Sequence, residues 1–205
     1  MPRLKDGFRG EQAIILPKMI VEQMEDDPLS AALHVTDMGY YPRAAHHYRK
    51  RPEGISQYVL IYCTDGAGWC KVNEIKYPIS CNQFIILPAG IPHEYGADEV
   101  TPWTIYWIHF KGSLAANYVT GEVLPVTLNP GMQSRIFQRI NLFEEIFFTL
   151  KMGYSRDNLR YASSIFHHFL GSLCYWVQYR NAAYQTEEGF LESIVHFMNE
   201  HIGRK

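Results

Sequence analysis

Two periodicities divide the chain. From Leu33 to about Val126, short blocks rich in Tyr, Val, Ile, Trp and Phe are broken at intervals of roughly ten residues by Gly, Pro, Asn and Asp, the texture of an all-β sandwich or barrel. The spacing predicts strands over Leu33–Tyr40, Gln57–Thr64, Gly68–Val72, Glu74–Ile79, Gln83–Leu87, His93–Ala97 and Trp103–Phe110. "TDGAG" and "KVNEIK" read as hairpin turns, because Asp, Asn and Gly accept the backbone angles that tight turns require. After Met132 the period lengthens. Ile136, Ile140, Phe143, Phe147 and Leu150 fall on one helical stripe that Gly153 ends. In the next helix, Leu159, Ala162, Phe166, Phe169, Leu173 and Trp176 keep a three-four spacing while Ile165, Leu170 and Val177 widen the apolar face. That breadth exceeds one contact, so this face is expected to meet a second copy of the chain as well as the β-domain.

The flanks differ. Residues 1–30 mix charge, Gly and Pro around "AIILP", which predicts an arm or lead-in. Residues 31–128 form the predicted barrel and 129–182 the helical hairpin. Residues 183–205 are read as a linker and an amphipathic helix marked by Phe190, Ile194, Phe197 and Met198, with Thr186 as its cap and an apolar stripe that calls for further chain to cover it.

Composition removes several function classes. With 205 residues and 47% hydrophobic side chains the chain can bury a sizeable core. Nineteen basic against 21 acidic residues leave a net charge of −2, which offers no footprint for phosphate backbones or anionic lipid. No apolar run approaches the length of about 18 residues that spans a bilayer. Cys63, Cys70, Cys81 and Cys174 form no Cys-x-x-Cys pair, and "MPRLKDGFRG" is too polar for a secretory leader. Reduced thiols and a cytoplasmic location are expected.

Candidate chemistry centres on a few histidines and aromatics. Pro88, Gly90 and His93 make the Pro-x-Gly-x-x-His turn of cupin-type barrels, some of which are metalloenzymes. A catalytic metal needs about three converging ligands, yet "GISQYVLIYCTDGAGW" lacks the histidines and glutamate that metal cupins place there. His93 is read as a turn residue bonded to backbone; no metal, cofactor or catalytic residue is assigned. Adjacent His46 and His47 point to opposite faces of an extended chain and are read as surface residues. In "PWTIYWIHF", alternation puts Trp103, Ile105, Trp107 and His109 on one face and Thr104, Tyr106, Ile108 and Phe110 on the other. The first face suits the apolar side of a small polar ligand such as a sugar. Arg51 adds a rigid donor fork and Tyr95 a hydroxyl.

Taken together, "RPEGISQYVLIYCTDGAGW", "FIILPAGIPHEYGADEVTPWTIYWIHFKG" and the two helices resemble the ligand-binding and dimerisation half of AraC-type bacterial transcription regulators. The resemblance runs from about Arg43 to Trp176. It implies a cupin-like jelly-roll barrel, an α-helical dimerisation hairpin and a homodimer. It also implies a sugar or related effector, and DNA contact only through C-terminal helix-turn-helix units whose first helix would be "LESIVHFMNEHIGRK". Arg51, Tyr95 and Trp107 match the family's sugar contacts, and residues 1 to about 20 match an arm that closes over the ligand. Ile105 stands where arabinose-responsive members have a pocket histidine, which leaves the effector open. The competing reading is a metal-dependent cupin enzyme of isomerase or dioxygenase type acting on a sugar or small acid.

Overall fold

The computed structural model describes residues 3–119, 123–128 and 134–182. The segment from 183 onward, with the predicted terminal helix, lies outside the described residues. Among the described residues, ten strands form two antiparallel sheets. The larger contains β1 (Gln12–Ile15), β2 (His34–Tyr41), β9 (Thr104–Lys111), β4 (Tyr58–Asp65), β7 (Gln83–Leu87) and β10 (Val126–Thr127), in the order β1-β2-β9-β4-β7-β10. The smaller has the order β3-β8-β5-β6, with β3 at Tyr48–Arg51, β8 at His93–Ala97, β5 at Ala67–Val72 and β6 at Ile75–Ser80. The two sheets close on each other as a cupin-like jelly-roll, and two helices, α2 (Ile136–Lys151) and α3 (Arg156–Cys174), cover the larger one.

The larger sheet has two buried faces, and this explains why β4 reads as an unbroken apolar run. Val59, Ile61 and Cys63 point into the barrel, where they meet Val72, Ile85 and Trp107. Leu60 and Tyr62 point the other way into a second core shared with Phe143, Ile146, Phe166 and Phe169. The same division runs along β9: Ile105 and Trp107 face the barrel, while Ile108 and Phe110 face the helices. The β5–β6 hairpin turns through Asn73 and Glu74, both with positive φ, between the paired residues Val72 and Ile75. Such a two-residue loop matches the right-handed twist of its strands.

Two expectations are corrected here. Residues 12–26 are not an open arm. Gln12–Ile15 pairs with β2, and Lys18–Asp26 forms helix α1, whose Met24 is buried in the helix-facing core. The apolar stripe of α3 is not free to meet a second chain either. Leu159, Ala162, Phe166, Phe169 and Leu173 are all at most 2% exposed, covered by the chain's own sheet and α2, and Trp176 packs at the edge of the same cluster. The outer face of a jelly-roll sheet as apolar as this one consumes the helix face that the periodicity had left for a partner. Ser155 caps α3 by accepting from the Asn158 N–H at 3.2 Å.

Candidate functional site

The candidate site is a small void of about 30 Å³ between the sheets. β3 supplies part of its wall. The backbone of β3 pairs with β8 so that Arg49 lies opposite Tyr95 and Arg51 opposite His93, and strand alternation turns His47, Arg49 and Arg51 to one side. Tyr95 joins them from β8, and Ile105, Trp107 and His109 complete the wall from β9 with Tyr41 and Ile61. Five residues singled out from the pattern thus border one void: Arg51, Tyr95, Ile105, Trp107 and His109. Trp103, also singled out, does not border the void: it is fully buried behind the wall and donates its indole N–H to His47.

Two turns hold β3 and β8 together. Gly54, with φ of +68°, passes so close to Gly90 that an added Cβ would lie 2.6 Å from the Gly90 carbonyl carbon. The Gly90 N–H donates to the Ile55 carbonyl at 2.7 Å, so the Arg-Pro-x-Gly and Pro-x-Gly turns clamp each other. His93 Nδ1 lies 2.8 Å from the Ile91 carbonyl, and burial pushes its ring below the usual histidine range. It is a turn residue bonded to backbone. Among the described residues no group of three or more His, Cys, Asp and Glu side chains could hold a metal ion.

The pair His46 and His47 divides as adjacent residues do. His46 has a φ of +64° and is half-buried. His47, read from the sequence as a surface residue, is instead 3% exposed and forms part of the cavity wall. Its Nδ1 accepts the Trp103 indole N–H at 3.2 Å, and burial, with the neighbouring Arg49 charge, pushes its ring down to about 3. The sequence reading missed it because "HHYRKRP" is too polar to look like a strand. Alternation begun at His47 would have put His47, Arg49 and Arg51 on one face.

Charge in the site is uneven. Arg49 pairs with Asp6 of the N-terminal segment at 3.6 Å, while no ion pair involves Arg51 among the described residues. Asp37 is engaged by His109 Nδ1 at 3.4 Å and by the Thr36 hydroxyl at 2.8 Å. Burial pushes the Asp37 carboxyl up, but the bond from His109, with Thr36 and Arg51, holds it below the ordinary carboxylate range. Phe8 packs behind two of the wall residues, its ring 4.9 Å from Tyr41 and 5.3 Å from His47.

Residues 38–151, more than half of the chain, match the family described as the AraC-like ligand binding domain. The chain belongs to that family. Over 104 residues it is 36% identical to the MmsAB operon regulatory protein of Pseudomonas aeruginosa, a match covering 49% of this chain and 34% of that protein. Over 85 residues it is 28% identical to the Msm operon regulatory protein of Streptococcus mutans, covering 40% and 31% respectively. The chain thus spans about a third of the length of these regulators. Among solved structures, the YhaK protein of Escherichia coli is similar at a TM-score of 0.41 and 15% identity, over 60% of this chain and 52% of that one. The AraC-like domain therefore carries its candidate site inside the barrel, away from the helices, and no described helix is long and apolar enough to cross a membrane.

Proposed function

We propose that this AraC-like domain is the sensing half of a DNA-binding transcription regulator and not an enzyme. A small polar molecule, a sugar or a related metabolite, binds inside the barrel, and its binding biases how a homodimer disposes C-terminal helix-turn-helix domains. The observation that carries the reading is the cavity wall, where His47, Arg51 and Trp107 each leave a buried nitrogen without a partner. Buried polar groups without partners cost about 1–3 kcal/mol each, so a cluster of them around one void is a place where a ligand returns what folding leaves unmet. The regulator names of the two relatives agree with this use. Ligand binding shifts the domain arrangement only in so far as the two arrangements differ in affinity for it.

Dimerisation through the hairpin, on this reading, uses the outer face of α2, where Phe137, Phe148 and Met152 are exposed. The test is a thermal-shift screen of sugars and related metabolites, repeated on Trp107→Ala, together with elemental analysis of the purified protein. A stabilising compound whose effect Trp107→Ala abolishes supports the reading. A stoichiometric bound transition metal, or turnover of a compound in the screen, overturns it.

A further inference from the structure

The hydrogen-bond inventory of the cavity wall narrows the effector. Trp103 donates its indole N–H to His47 Nδ1, so that nitrogen is the acceptor. Burial keeps the His47 ring neutral near pH 7, which puts its one proton on Nε2. His47 Nε2, Arg51 Nε and Trp107 Nε1 are all buried without a hydrogen-bond partner, and all three residues border the same void. His47 is 3% exposed and Trp107 9% exposed, so bulk water does not satisfy them. Each of the three atoms carries a hydrogen. They are donors only, and none can accept.

Charge points the same way. Arg51 borders the void with no ion pair among the described residues, and Asp37, the acid beside this wall, is already engaged by His109 and Thr36. Groups able to accept a ligand's proton are fewer: the hydroxyls of Tyr41 and Tyr95, which both give and take, and the second ring nitrogen of His109, whose Nδ1 faces Asp37. A neutral polyol brings about as many O–H donors as acceptors, and its donors compete for these few acceptors. A carboxylate brings two oxygens that only accept, and it matches a cationic, donor-lined site.

The geometry points to a small organic acid as the effector, its carboxylate received by His47, Arg51 and Trp107 and its short carbon chain lying against Ile61 and Ile105. This rests on the sensor reading above and narrows "sugar or related metabolite" to an acid. Size limits the chain: about 30 Å³ admits a group of only a few atoms, and anything longer has to shift the side chains of the wall.

The experiment follows intrinsic tryptophan fluorescence and melting temperature of the whole chain at constant ionic strength. Acetate, propionate, lactate and pyruvate are compared with acetamide, propionamide and lactamide, and with L-arabinose and D-glucose, each up to about 20 mM. The expected result is saturable binding of at least one acid, with its amide weaker by about tenfold or more, since the amide carries no charge for Arg51. Arg51→Gln and Trp107→Phe should each weaken that acid about tenfold, with far-UV circular dichroism showing both variants folded. Should one of them unfold, Arg51→Lys serves instead, keeping the charge but losing the fork. Saturable binding of a neutral sugar with the acids silent overturns the acid assignment and leaves the sensor reading intact. Silence of every acid also overturns the acid assignment. Bound metal or turnover overturns the sensor reading itself.

Discussion

The carboxylate of Asp27 lies 2.7 Å from Nη2 of Arg160 and 3.2 Å from Nη2 of Arg156, tying the residue that ends α1 to the first turns of α3. Asp27 also accepts the Ser30 backbone N–H at 3.2 Å, so it fixes both its own turn and the helix across from it. It is a polar fastening between the N-terminal segment and the hairpin that covers the barrel.

That fastening has a pH signature. The bond from Arg160 holds the Asp27 carboxyl well below the usual carboxylate range. A depressed acid contributes stability above its unfolded pKa, about 3.9, and the contribution is lost as the pH falls through the folded value. Asp27→Asn is therefore expected to be less stable than wild type at pH 7, with the gap closing below about pH 4. Urea denaturation at pH 7 and pH 3 measures it, and a constant gap across that range would contradict it.

His47 acts in a different window. An unfolded histidine titrates near 6.5, while the folded ring stays unprotonated down to about 3. Between those values the unfolded chain binds more protons, so stability falls as the pH is lowered, by about 1.4 kcal/mol per pH unit for this ring alone. His34 and His93, both lowered by burial, add in the same direction. In His47→Gln the side-chain carbonyl can still accept from Trp103, and the slope between pH 6 and pH 4 should be shallower by about that amount. Equal slopes in variant and wild type would show that His47 is not a buried neutral ring.

Gly39 sets the position of Trp107. A Cβ at Gly39 would lie 2.6 Å from the Gln12 carbonyl oxygen and 2.7 Å from Trp107 Cζ2. Gly39→Ala must push β1 away or turn the indole, at a cost of about 1–3 kcal/mol. Chemical denaturation is expected to show that loss, and fluorescence a shifted tryptophan emission with weakened effector response. An unchanged emission spectrum and full response would contradict the close fit.

The buried and exposed faces of the hairpin should separate cleanly. Phe166 is 0% exposed and meets the Phe110 ring at 5.3 Å, so Phe166→Glu buries an unpaired carboxylate and should unfold the helical layer. Phe148 is 51% exposed. Phe148→Glu should leave the circular dichroism spectrum unchanged and, if the outer face of α2 joins two copies, shift sedimentation from dimer to monomer. A folded, still dimeric Phe148→Glu protein would remove α2 from the interface.

Strand positions were legible wherever a run was apolar and ended at turn residues. Gln83–Leu87 and His93–Ala97 match the strands read from the sequence residue for residue, and Trp103–Phe110 is off by one at each end. Period-two alternation also placed Ile105, Trp107 and His109 on the face that borders the void, because alternation is a property of any extended chain. Local sequence could not decide what lies opposite a face. The α3 stripe is apolar whether a partner chain or its own sheet covers it, and only the packed structure shows that β4 and β9 claim it. Nor could it recover β3: the residues that make this strand part of a binding site, His47, Arg49 and Arg51, are polar, and their polarity hides the strand. Pairing with β8 turns those residues inward, and that long-range contact, absent from any local pattern, leaves three N–H donors around one void.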